Sequence, residues 1–181
     1  MKISSTAIPE VLLLEPSVYG DERGYFMETF RASHFEDKGV GPNFVQDNQS
    51  RSIKGTLRGL HYQLNYPQGK LARVVIGEVF DVAVDLRSGS DTFGCWVGEI
   101  LSDENKRQLW IPPGFAHGFL VLSDFAELLY KCTDYYHPED DHSLLWKDSD
   151  LAIAWPDIGL EPILSEKDKA AKPLSKALVY K

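Results

Sequence analysis

The chain has 181 residues, 43% apolar and 25% charged, which suits one domain spanning residues 1–181 with a buried core. A formal net charge of −8 supplies no global field for nucleic acid or an anionic membrane, so an anionic ligand needs a local basic cluster. No run approaches the roughly 20 apolar residues that cross a bilayer, and two cysteines are too few for a disulfide framework.

The opening Met1-Lys2-Ile3-Ser4 lacks the long apolar stretch of a signal peptide, which predicts a cytoplasmic protein. Asp21 to Glu28 reads as a charged turn leading into a strand, with Arg23 and Glu28 set around Tyr25 and Phe26. Ser33-His34-Phe35-Glu36 opens one helical turn, stopped by Gly39. Gln46 to Ser52 is a dense run of amide and hydroxyl side chains. It is either a loop or an array of donors for sugar or phosphate oxygens.

Arg58-Gly59-Leu60-His61 and Gln68-Gly69-Lys70 follow on two short segments around a glycine-containing bend. They form either a cationic surface patch or a site where a neutral histidine removes a proton and an ammonium holds the resulting charge. Val74-Val75-Ile76 is an apolar run ending at Gly77. Over Val79–Arg87, Phe80, Val82, Val84 and Leu86 share one face and Asp81, Ala83 and Asp85 the other, a strand with two unlike faces. Ser88 to Asp91 is a turn, and further strands are predicted at Cys95–Leu101, Arg107–Ile111, His117–Leu122 and Ala126–Thr133. Cys95 and Cys132 lie in these apolar runs and read as buried free thiols. Ser165 to Ala171 is a short capped helix ended by Pro173. Strands at this even spacing, with 12% aromatic residues to suit pleated surfaces, predict an all-β jelly roll with short peripheral helices.

A general-base histidine needs an acid to orient it. For His61 the candidates are Asp81, Asp85 and Asp168, and spacing does not choose among them. Tyr130 shares a face with Leu128 and Cys132, whereas Lys131 points away. Tyr130 is therefore either core or a proton donor. Tyr135 and Tyr136 precede Pro138 in a loop, where a tyrosine could stack on a base. Arg23, Arg58 and Lys70 could supply the local positive charge that the net composition lacks.

Pro112-Pro113-Gly114-Phe115-Ala116-His117 resembles the second signature of the cupin superfamily, in which a histidine follows a Pro-x-Gly turn. Many cupins bind a metal through two histidines on an earlier strand. Here that strand reads His61-Tyr62-Gln63, which argues against a metal.

Seven motifs in order resemble the dTDP-4-dehydrorhamnose 3,5-epimerase family. They are Asp21–Phe26, Gln46–Ser50, Leu57–Gln63, Gln68–Lys70, Asp81–Arg87, Pro112–Phe119 and Leu164–Asp168. The resemblance implies a cupin-like, metal-free and cofactor-free homodimer acting on a dTDP-linked 4-keto-6-deoxy sugar. It implies that His61 is the base and Asp168 its partner, that Lys70 faces the keto oxygen, and that Tyr130 is the proton donor. It puts Tyr136 near the nucleotide base, and Arg23, Phe26 and Glu28 on the nucleotide, in part from the other subunit. It also implies that Gln46, Asn48, Arg58 and His117 line the site. The family commonly carries Glu where this chain has Asp141, one methylene shorter, which puts that contact in question.

On this reading the C4 ketone acidifies the protons at C3 and C5. One base and one acid on opposite ring faces can then invert both carbons without a redox carrier. Three other readings compete. One is a 3- or 5-mono-epimerase on a related nucleotide sugar. The second is a cupin-like module that binds a nucleotide sugar without catalysis, and the third a metal-dependent cupin enzyme.

Overall fold

The computed structural model describes residues 1–36 and 43–181. Gly39, the expected stop of the first helix, lies outside the described residues. In chain order the strands are β1 (Lys2–Ser5), β2 (Leu12–Glu15), β3 (Val18–Asp21), β4 (Gly24–Met27), β5 (Gln46–Ile53), β6 (Leu57–Gln63) and β7 (Lys70–Ile76). There follow β8 (Glu78–Asp85), β9 (Trp96–Ser102), β10 (Gln108–Ile111), β11 (Phe115–Val121), β12 (Phe125–Cys132) and β13 (Asp141–Ser143). Two short helices, α1 (Ser33–Glu36) and α2 (Glu166–Lys169), lie at the periphery.

The strands build a six-stranded sheet, β1-β2-β10-β7-β12-β5, and a five-stranded sheet, β13-β6-β11-β8-β9. Every pairing within them is antiparallel, and β3 and β4 form a separate hairpin. The all-β expectation therefore holds. Residues facing inward from both sheets make one apolar cluster, with Val74, Leu109, Ile111 and Leu128 meeting Val79, Val97, Leu101 and Phe119. The outer side of the five-stranded sheet is covered by chain beyond β13, where Leu151, Trp155 and Val179 pack on Leu60, Phe80 and Val84. Leu12, Leu14, Leu71, Trp110 and Phe35 form a third cluster on the outside of the other sheet. Each such large side chain contributes roughly 1.5–3 kcal/mol by leaving water.

The alternation along β8 does give two unlike faces, and both are buried. Phe80, Val82 and Val84 pack beneath the C-terminal segment, while Ala83 and its flanking aspartates point between the sheets. Two expectations are corrected. Gln46 to Ser52 is not a loop but the body of β5, paired along its whole length with β12. Cys132 is buried, but Cys95 is exposed. The amide of Cys95 closes a turn onto the Thr92 carbonyl at 2.8 Å, so the strand starts one residue later and the thiol stays in water.

Asp85 holds the β8 end together. Its carboxylate accepts hydrogen bonds from the Arg87 amide and guanidinium, Ser90 Oγ and Thr92 Oγ1. Burial alone would raise its pKa, but these donors outweigh burial and bring it to about 2. A folded-state pKa below the unfolded value adds stability that is present above about pH 4 and lost as pH falls toward 2. Asp85→Asn is expected to cost about 1–2 kcal/mol at neutral pH and about 3–8 °C in Tm. The gap to the parent should close in melts taken near pH 2.

Candidate active site

Two glycine contacts set the strands that carry the first candidates. Gly59 has φ +113°, and a Cβ there would lie 2.7 Å from the Gly118 Cα and from the His117 carbonyl. The β6–β11 ladder slips at this point, between His117 and Phe119. Only glycine permits that approach, and two residues later His61 emerges on the inner face. A Cβ on Gly69 would lie 2.5 Å from the Trp110 ring, so the backbone entering β7 packs flat on the indole before Lys70 turns inward.

Register fixes the opposite wall. Lys70 pairs with Cys132, and Cys132 with Gln46, which makes one row across β7, β12 and β5. Two residues along, Asn48, Tyr130 and Ala72 make the next row on the same face. The result is a cleft of about 230 Å³. His61 and Gln63 line it from the five-stranded sheet, Lys70, Tyr130, Gln46 and Asn48 from the other, and Tyr136 and Asp141 border it.

Of the three carboxylates considered for His61, only Asp168 reaches it, with Oδ1 2.5 Å from Nε2. Asp81 instead lies 2.9 and 3.0 Å from His117 Nε2, and Asp85 is committed to its turn. Asp168 is held on α2 by Ser165, whose Oγ accepts the Asp168 amide proton and donates to Oδ2 at 2.8 Å. With the Nε2 proton directed at this carboxylate, the Nδ1 lone pair of His61 is left for a ligand.

The electrostatics suit proton transfer. Burial lowers the His61 pKa, and the Asp168 hydrogen bond only partly opposes it, so the ring is neutral near pH 7. Burial also lowers the Lys70 pKa, while the Cys132, Asp141 and Asp81 groups pull it back up. Burial, with Cys132 adding, raises the Tyr130 pKa and keeps the phenol protonated, although Arg58 pulls the other way. Burial also opposes ionisation of Asp168, but the hydrogen bonds from His61 and Ser165 overcome it and leave its pKa lowered.

The rim is tied down by polar side chains. Tyr136 donates its hydroxyl to Asp141 Oδ2 at 2.8 Å, and its amide to Gln46 Oε1. The same Asp141 oxygen is gripped by the Lys167 ammonium, so the shorter side chain at this position still engages two partners through Oδ2. Gln63 stands where cupins carry a second histidine, and its amide is already committed. It donates to the Tyr66 and Tyr135 carbonyls and accepts from the His137 amide.

Other predicted residues lie elsewhere in the single chain. Arg23 sits on the β3–β4 turn and pairs with Asp21, Phe26 is 71% exposed on the hairpin, and Glu28 pairs with Arg31. None of the three borders the cleft. His117 is buried behind it, in register with His61, and Arg58 donates to Ser52 Oγ at 3.0 Å. Sequence reasoning gave no site role to Gln68, which lines the cleft, or to Lys167, which holds Asp141. Lys167 could have been found from its place beside Asp168 in one capped turn.

Comparisons with known proteins converge on one family. Residues 5–176 match the family model described as dTDP-4-dehydrorhamnose 3,5-epimerase. The chain is 57% identical over 178 residues to the dTDP-4-dehydrorhamnose 3,5-epimerase of Pseudomonas aeruginosa, covering 98% of each. It is 58% identical over 172 residues to that of Escherichia coli, covering 93% of this chain and 92% of the relative. Among solved structures, a dTDP-6-deoxy-D-glucose-3,5-epimerase from Legionella pneumophila in complex with dTDP-4-keto-L-rhamnose matches with a TM-score of 0.94. That match has 60% identity and covers 97% of this chain and 93% of the other.

Proposed function

The chain belongs to the dTDP-4-dehydrorhamnose 3,5-epimerase family, and from that premise we propose that it inverts C3 and C5 of dTDP-4-dehydro-6-deoxy-D-glucose. The product is dTDP-4-dehydro-L-rhamnose. The fold is the family's cupin-like jelly roll, and residues 1–181 act as one epimerase domain. One observation carries the assignment of roles. His61 with its Asp168 partner, and Tyr130 with Lys70, face a single cleft from opposite sheets.

His61 Nδ1 takes the proton from C3 or C5, and the C–H electron pair moves into the enolate of the C4 ketone. The Lys70 ammonium carries the oxygen's negative charge, which is worth most in a site where water is excluded. Tyr130 returns a proton from the other ring face, and the carbon is inverted. Asp168 stabilises the imidazolium in between. The carbonyl serves both carbons, and once the imidazolium has released its proton to water and the phenolate has taken one up, the same base and acid act again.

The pH profile follows from these shifts. His61 must be neutral, and its pKa lies below the ordinary histidine value of about 6.5. Activity is therefore kept as pH falls through about 6.5 and lost only below it. At the alkaline end Lys70 must stay protonated, and its lowered pKa brings that limb below about 10.4. A kcat/KM profile with an acid limb centred above about 6.5 would contradict His61 as the base.

Arg23 and Phe26, on a hairpin that exposes Tyr19, Tyr25 and Phe26 to water, and Glu28 just past its end, lie away from the cleft of their own chain. A homodimer, in which the hairpin of one subunit reaches the nucleotide of the other, accounts for both facts. Light scattering on the eluting protein tests it, with one subunit's mass counting against it. Among the described residues no helix is long and apolar enough to cross a membrane. The decisive assay is NMR of dTDP-4-keto-6-deoxyglucose with the protein in deuterated water. Deuterium should enter at C3 and C5, whereas entry at one carbon narrows the reaction to a mono-epimerisation.

A further inference from the structure

Lys167 and Asp168 are neighbours in the single turn of α2, and each grips a different part of the cleft. Asp168 holds the ring of His61, while Lys167 holds Asp141, which in turn accepts the hydroxyl of Tyr136. The turn itself is fixed by Ser165, which bonds the amide and the carboxylate of Asp168. A continuous path thus runs from Tyr136 through Asp141 and Lys167 to Asp168 and His61. We propose that Lys167 is a positioning residue that couples the nucleotide-binding rim to the base dyad. The proposal rests on the epimerase reading above, with His61 as base and Tyr136 beside the nucleotide.

Geometry makes the coupling specific. Lys167 is 42% exposed and Asp141 13% exposed, so the pair is half shielded and its ammonium is confined to the side of the cleft where Asp168 lies. The charge of Lys167 opposes protonation of His61 and favours ionisation of Asp168. Other charged or titratable groups toward His61 are Asp168 on α2, Lys70 on β7, Tyr130 on β12, Asp141 on β13 and the His117–Asp81 pair on β11 and β8. Among them Lys167 is the cation that also touches the rim. β13 also pairs with β6, Asp141 opposite Gln63 and Ser143 opposite His61, but Lys167 is the side chain that joins Asp141 to the turn holding Asp168, so a displacement of Tyr136 and Asp141 by a bound nucleotide reaches the dyad through it. By linkage, the state of the base also acts on nucleotide affinity.

The test compares the parent with Lys167→Gln and Lys167→Arg. The His61 imidazole is titrated by NMR in the free protein, and dTDP affinity is measured by calorimetry. In Lys167→Gln the His61 midpoint should move up. The dTDP Kd should weaken about two- to fivefold, the range expected when a half-exposed ion pair is lost. Lys167→Arg should restore both. A merely structural role would change the melting temperature and leave the midpoint where it was. An unmoved midpoint overturns the proposal, and so does a shifted midpoint with unchanged dTDP affinity, since the coupling would be absent. Deuterium exchange by the parent is run alongside. Its failure overturns the epimerase reading, whereas intact exchange with an unmoved midpoint overturns the role of Lys167 alone.

Discussion

His61→Asn should stop deuterium entry at both C3 and C5 and lower kcat by about 10³–10⁴-fold, while dTDP binds nearly as before. Asparagine keeps a polar group of similar reach, and its amide can still face Asp168. It carries no basic nitrogen, so the C–H bond cannot be broken from that side. The loss falls on both carbons because the cleft holds one histidine with a carboxylate partner and a free Nδ1. His117 does not replace it, since it is buried and its Nε2 is spent on Asp81. Binding survives because the rim contacts of Tyr136, Gln46 and Asp141 do not involve the imidazole. Exchange at one carbon that persists in the variant would show a second base and end the single-base mechanism.

The sequence made much of the scaffold legible, and the reasons are local. β7, β8, β9, β11 and β12 carry apolar runs or alternation bounded by glycine, proline and serine turns, and each was found within a few residues. β5 was missed because its inner face is polar. Gln46 and Asn48 line a cleft instead of a core, so the alternation that marks a strand is absent from its composition. The two unlike faces of β8 are legible, but the fixed partners that bury its aspartates are not: Asp81 lies on His117, and Asp85 on Arg87, Ser90 and Thr92.

The site divides along the same line. His61 and Lys70 stand out through the glycines beside them, and Gly59 and Gly69 prove to be positions where a Cβ would strike a neighbouring strand or ring. The acid that orients His61 lies 107 residues away on a four-residue helix, and no periodicity joins the two. Three aspartates remained open until the fold excluded two. Arg23, Phe26 and Glu28 show the limit from the other side. Their motif is clear in the sequence, yet a single chain leaves them on a hairpin or just past its end, away from the cleft.

Tyr130→Phe should separate the two halves of the reaction, lowering formation of inverted sugar by about 10²–10³-fold while deuterium still enters the starting sugar. His61 alone can remove a proton and return a deuteron to the same face, which labels the carbon without inverting it. Inversion needs a donor on the far face, and Tyr130 comes from the sheet opposite His61. Burial raises its pKa, so it stands protonated and ready to donate at neutral pH, and the nearby Arg58 charge favours the phenolate left behind. Tyr136 is the rival, and its setting differs. It is 51% exposed, and its hydroxyl proton is already directed at Asp141, which raises its pKa. Tyr136→Phe should therefore raise KM a few-fold and leave kcat nearly unchanged, since an exposed hydrogen bond is worth about 1 kcal/mol. Should the pattern reverse, with exchange uncoupled from inversion only in Tyr136→Phe, the acid is Tyr136 and Tyr130 serves to shape the cleft.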